Sequence, residues 1–144
     1  MPELDDIHPS LTYADAPAAI EFLCRAFGFE RKLFVPGEDG AVMHSELLFG
    51  TSVVMVSSPK PADGRRAPSE LGGTSAALSL RIDDPDAHFE RAKAAGARIV
   101  RELRDEEYGG RGYMAADPEG YLWYFGTYRP GAWWGSEASA QSPG

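Results

Sequence analysis

Two stretches decide the fold: Asp15-Ala-Pro-Ala-Ala-Ile-Glu-Phe-Leu-Cys-Arg-Ala-Phe-Gly28 and Asp83-Asp-Pro-Asp-Ala-His-Phe-Glu-Arg-Ala-Lys-Ala-Ala-Gly96. Each opens on an aspartate that can cap a helix and a proline suited to its first turn. Each closes on a glycine, which takes a left-handed stop at little cost. A shift of 68 positions (83 minus 15) lays Asp15 on Asp83, Pro17 on Pro85, Ala19 on Ala87, Ala26 on Ala94 and Gly28 on Gly96. These are the cap, first-turn, packing and stop positions, where geometry restricts residue choice. Between the punctuation marks, Ile20, Leu23, Cys24 and Phe27 fall at helical spacing, so one face of the first helix is apolar.

The same programme continues outward on both sides. Residues 7–13, 31–35, 41–49 and 51–57 read as strands, with turn chemistry at Pro36-Gly-Glu-Asp-Gly40 and at Gly50. The second half repeats the order: strand 76–82, helix 85–95, strands 98–103, 112–116 and 121–128, with turns at Tyr108-Gly-Gly-Arg111 and Asp117-Pro-Glu-Gly120. The fold class is therefore α+β: two β-α-β-β-β modules, 6–57 and 75–128, that must pack together to bury their faces. They make one domain over residues 1–130. The Pro-rich segment 58–74 reads as a mobile linker, a lid or a connector. The Gly/Ser/Ala-rich tail 131–144 is expected to be flexible, with Trp133 and Trp134 as its two anchors for a partner or a dimer contact.

Composition narrows the partners. The 144 residues carry 14 Lys and Arg against 22 Asp and Glu, a formal charge of −8. That opposes binding to nucleic acid, which needs clustered basic side chains, and to anionic membranes. It is compatible with a cationic ligand, and equally with an acidity that serves solubility. The single cysteine, Cys24, excludes an internal disulfide and reads as a small core residue. No apolar run reaches the ~18 residues of a membrane span. The start, Met1-Pro-Glu-Leu-Asp-Asp6, is unlike a secretory leader, so a cytoplasmic location is expected.

Three stretches carry a family resemblance. Leu11 to Glu30 resembles the opening strand and helix of vicinal oxygen chelate proteins, the glyoxalase, bleomycin-resistance and extradiol dioxygenase superfamily. His44-Ser-Glu-Leu-Leu-Phe-Gly50 resembles their third strand. Tyr108-Gly-Gly-Arg-Gly-Tyr113 with Asp117-Pro-Glu-Gly-Tyr-Leu-Trp123 resembles their final hairpin. The resemblance covers about residues 6–130. It implies paired modules whose mixed sheets curl around a cavity, and it implies a homodimer. It fixes function only loosely, since the superfamily holds lyases, isomerases, dioxygenases, thiol transferases and non-catalytic drug binders.

The resemblance also implies four metal-ligand positions. They fall here on His8, Glu46, Ala77 and Tyr124. Two of them are chemically wrong for a divalent ion, so no cofactor is expected. A remodelled three-ligand set of His8, His44 and Glu46 is the alternative, because residues 44 and 46 share a face of a strand. Without a metal, His8 and His44 are polar cavity residues. Glu46 is then a candidate general base or the partner of a cationic ligand. Phe34, Tyr113, Trp123, Tyr124 and Phe125 are candidates for an aromatic pocket wall, against the plainer reading as sheet core. Arg111 either meets an anionic group or braces its own turn through carbonyls. His88, among Asp86, Glu90 and Arg91, is expected at the surface. The reading that follows is a small-molecule-binding protein that sequesters a drug-like or metabolite ligand through His8, His44, Glu46, Tyr113, Tyr124 and Arg111. The alternative is a metal-dependent lyase, isomerase or dioxygenase.

Overall fold

Aspartate side chains start both long helices in the computed structural model, which describes residues 6–131. Strand β1 (Ser10–Thr12) leads into helix α1 (Ala16–Phe22), where the Asp15 carboxylate accepts the Ala18 N–H at 3.2 Å. The helix widens into a π-turn over Leu23–Phe27 and stops at Gly28, whose φ is +89°. Cys24 is only half-buried, packed at the edge of the core. Strands β2 (Glu30–Pro36), β3 (Val42–Phe49) and β4 (Ser52–Ser57) complete the first module. The sheet order is β1-β4-β3-β2, with β1 parallel to β4 and the remaining pairs antiparallel.

The connection 58–74 is no featureless linker. It contains a short helix, α2 (Pro68–Leu71), and a backbone bridge between Lys60 and Arg65. Ala67 is fully buried and its N–H is taken by the Glu70 carboxylate at 3.1 Å. Arg65 donates to the Ser10 hydroxyl, which ties the segment to β1.

The second module repeats the first with β5 (Ala77–Arg81), α3 (Pro85–Ala94), β6 (Arg98–Asp105), β7 (Arg111–Ala116) and β8 (Leu122–Gly126), in sheet order β5-β8-β7-β6. Its helix is capped by Asp84, which accepts the Ala87 N–H at 3.1 Å, and not by Asp83. The repeat is thus in register at the prolines and glycines but slips by one residue at the cap. Proline tolerates the slip because neither of the first two helical N–H groups has an intrahelical partner.

Both helices lie on the same side of their sheets and share one core. Phe27 of the first module meets Trp123 and Phe125 of the second at ring-centroid distances of 5.6 and 4.8 Å. Polar groups lock this junction. Asp117 is buried and accepts the Tyr13 hydroxyl at 2.5 Å and the Trp123 indole N–H at 3.0 Å. It also accepts the backbone N–H groups of Glu119, Gly120 and Tyr121. Glu119 reaches across to the Ala14 and Asp15 N–H groups at 2.6 and 2.8 Å, satisfying donors at the start of α1. Arg91 of α3 donates to the Cys24 and Arg25 carbonyls at the other end of the first helical segment. Each sheet therefore has one face on the common core and one face open.

Candidate functional site

Strand alternation sorts the side chains of the first sheet. Leu47, Val54 and Val56 point into the core. Glu46 stands between Leu33 and Met55, and His44 opposite Val35, so this row faces the open side. His44 Nε2 and Glu46 Oε2 are 2.8 Å apart, with side chains 36% and 40% exposed. In that contact the imidazole N–H donates and the carboxylate accepts. The result is one acid–base pair among Leu33, Leu48, Val53 and Met55, on a face that also carries Ser10 and Glu30 at its edges.

His8 stands apart from this pair. Its Nδ1 lies 3.3 Å from the Val53 carbonyl. It borders a cleft of about 440 Å³ between the β1–β4 edge and β5, lined by Pro9, Phe29, Val53, Leu78 and Leu80. Ala77 lines the same cleft and has no donor atom. Tyr124 lies across the glycine pair Gly112 and Gly126, where a Cβ would come within 2.4 and 2.6 Å of its hydroxyl oxygen. Burial pushes its phenol pKa well up, which disfavours the phenolate a metal would need. Among the described residues, no three His, Cys, Asp or Glu side chains converge as a metal site. The structure does not bring His8, His44 and Glu46 together, and the donors at the four positions do not fit a divalent ion.

Several sequence expectations are corrected here. Tyr113, Trp123 and Phe125 are fully buried in the shared core, and Phe34 packs against it, so they form no pocket wall. Only Tyr124 of the five points to the open side, and it too is buried, with the Arg101 guanidinium over its ring. Burial also raises the Tyr113 phenol, whose hydroxyl contacts His88 at 2.6 Å. His88 is not a surface residue. It is half-buried, 4.2 Å from the Phe125 ring centroid, with Nε2 2.8 Å from the Phe27 carbonyl. Since a carbonyl only accepts, Nε2 carries the proton and Nδ1 accepts from Tyr113. Desolvation lowers the His88 pKa. Arg111 braces, but through carboxylates: it pairs with Asp86 at 2.9 Å and Asp105 at 3.2 Å, clamping α3 to the sheet. Trp133 and Trp134 lie outside the described residues.

The open face of the second sheet holds groups that the sequence reading passed over. Arg101 Nη1 is 2.7 Å from Glu106 Oε1, and the guanidinium sits 5.5 Å from the Tyr124 ring centroid. The Glu106 side chain is only 4% exposed. A three-residue arginine spacing, Arg98, Arg101 and Arg104, is visible in the sequence, but it matches no strand period.

The sequence model of the Glyoxalase/Bleomycin resistance protein/Dioxygenase superfamily matches residues 7–125. An uncharacterised protein of Mycobacterium bovis is 37% identical over 123 residues, 83% of this chain and 81% of its own. The crystal structure of TioX from Micromonospora sp. ML1 is 32% identical, with a TM-score of 0.69, covering 85% of this chain and 94% of that one. A glyoxalase-related enzyme from Fulvimarina pelagi is 21% identical with a TM-score of 0.66, over 85% of this chain and 88% of its own, a likeness of fold alone.

Proposed function

As this chain belongs to the Glyoxalase/Bleomycin resistance protein/Dioxygenase superfamily, we propose that it binds and sequesters a small molecule without a metal. The observation that carries this reading is the His44–Glu46 pair, 2.8 Å apart among aliphatic side chains on the open face of the first sheet. A half-buried carboxylate ringed by Leu33, Met55 and Leu48 suits an apolar ligand bearing a protonated amine: the body covers the aliphatic surface and the amine bonds Glu46. His44 keeps the carboxylate oriented while leaving it an open acceptor site. The missing donors at Ala77 and Tyr124 support metal independence.

A homodimer remains our reading as well, because it is what the family resemblance implies. The same pair supports a second reading, in which Glu46 is the general base of an enzyme. The location follows the sequence expectation, cytoplasmic; among the described residues no helix is long and apolar enough to cross a membrane.

The test combines elemental analysis of protein purified without chelator with calorimetric titration of hydrophobic amines. Expected are no stoichiometric divalent ion and saturable amine binding. Glu46→Gln should weaken that binding about ten-fold, the size of one charge-assisted hydrogen bond. A near-stoichiometric metal lost in Glu46→Gln refutes metal independence, and chemical turnover of a bound amine moves the assignment to the enzyme.

A further inference from the structure

Strand β6 reads Arg98-Ile-Val-Arg-Glu-Leu-Arg104, an arginine at every third position. In a regular strand that spacing throws successive side chains to opposite faces. Two register shifts in β6, between Ile99 and Arg101 and between Arg101 and Arg104, change the outcome. The three arginines stand opposite Ala116, Met114 and Gly112, alternate residues of β7. Alternate residues share a face, and Met114 also pairs with Tyr124, so the face is the open one. Strand geometry spaces the three at intervals of about 7 Å. The bulges thus gather a basic stripe on a chain whose net charge is −8.

The stripe is under-neutralised. Glu106 is its one carboxylate partner among the described residues, shared as an ion pair between Arg101 at 2.7 Å and Arg104 at 3.6 Å, neither in hydrogen-bond geometry. Arg98 has no carboxylate within ion-pair distance among the described residues. Glu102 is exposed and pairs with none of the three, and Asp105 is turned to Arg111. Arg98 is exposed and the Arg104 side chain is 58% exposed, whereas Arg101 is held at 26% by Glu106 and the Tyr124 ring. The exposed guanidinium groups of Arg98 and Arg104, the latter held only loosely by Glu106, therefore flank Arg101, which lies over the buried Tyr124 ring that Gly112 and Gly126 make room for. Guanidinium forks match the oxygens of carboxylates and phosphates. The acidity of the rest of the chain opposes a long polyanion such as a nucleic acid.

We propose that the open face of the second sheet is an oxyanion-binding site, in which Arg98 and Arg104 grip the carboxylate or phosphate of a small acid against the Arg101–Tyr124 platform. This site is distinct from His44–Glu46 and does not depend on the sequestering reading. Calorimetric titration at fixed ionic strength tests it, with phenyl phosphate, benzoate and inorganic phosphate as probes and chloride as the balancing salt. Phenyl phosphate is expected to saturate one site per chain. The double variant Arg98→Gln/Arg104→Gln should lose at least ten-fold in affinity with an unchanged melting temperature. Arg25→Gln, on the first helical segment, should leave binding intact. So should Glu46→Gln, which separates this site from the amine site. Benzoate binding identifies carboxylate as an accepted group. Inorganic phosphate equal to phenyl phosphate assigns the affinity to the arginines and not to the ring. Absence of saturable binding of all three probes overturns the proposal, as does binding that survives the double variant or falls equally in Arg25→Gln.

Discussion

Replacing Tyr13 by Phe removes one oxygen from the junction between the modules and leaves its packing in place. That hydroxyl is fully buried and donates to Asp117 at 2.5 Å. A hydrogen bond to a charged acceptor contributes about 1.5–3 kcal/mol. Asp117 keeps four other donors, the Trp123 indole and three backbone N–H groups, so the expected loss is about 2 kcal/mol at neutral pH. For a chain of this size that corresponds to roughly 6 °C in melting temperature. The loss should depend on pH. Burial raises the Asp117 pKa, and the Tyr13 hydrogen bond works against that rise; without it the folded value climbs further. Below the unfolded carboxyl value, near 4, both states hold the proton and the variant differs least from the parent. As pH rises, the unfolded chain releases its proton first and stability falls until the folded carboxyl ionises. In Tyr13→Phe that fall continues to higher pH, so the deficit opens between the two folded pKa values and is complete above them. Urea unfolding at several pH values between 4 and 8 measures it. Tyr121→Phe is the comparison, since its hydroxyl only accepts the neutral Thr12 N–H at 3.0 Å; it should cost about 1 kcal/mol with a weaker pH dependence. A Tyr13→Phe loss below about 0.5 kcal/mol, or one that grows on acidification, refutes the reasoning.

Two further outcomes follow from the same junction and from the second sheet. His88 has its folded pKa lowered by burial, so its contribution to stability is present above the unfolded value near 6.5 and is lost as pH falls through the folded one. His88→Gln should flatten that limb of the stability profile, and an NMR titration of the ring with a midpoint at or above 6.5 contradicts the assignment. Gly112→Ala would set a Cβ 2.4 Å from the Tyr124 hydroxyl oxygen and 2.6 Å from the Phe125 carbonyl oxygen. A loss of about 1–3 kcal/mol is expected in urea unfolding. Adding Tyr124→Phe should recover only part of it, because the carbonyl cannot move aside, and full recovery would locate the crowding in the side chain alone.

Much of this protein was decided locally and could be read from its sequence. The start and stop of each long helix depend on a carboxylate, a proline and a glycine within a few residues of one another, and strand alternation needs no distant partner. The eight strands, the two modules and the family resemblance follow from such signals. Glu46 and His44 were also legible as a pair, because residues two apart in a strand share a face. What the sequence hid depends on chain segments far apart. His88 sits in a polar-looking helix, yet Phe27, Phe49 and Phe125 surround it. Tyr113, Trp123 and Phe125 carry the same aromatic chemistry whether they line a pocket or fill a core, and only packing placed them in the core. The four implied metal positions could be named from sequence, but whether donors converge is a matter of distances between strands. The arginines of β6 are the clearest case. Their spacing of three contradicts the period of two, and only the bulges, set by pairing with β7, put all three on one face. Sequence determined the elements because their signals act within a few residues; tertiary structure decided burial and convergence because these depend on which distant segments pack together.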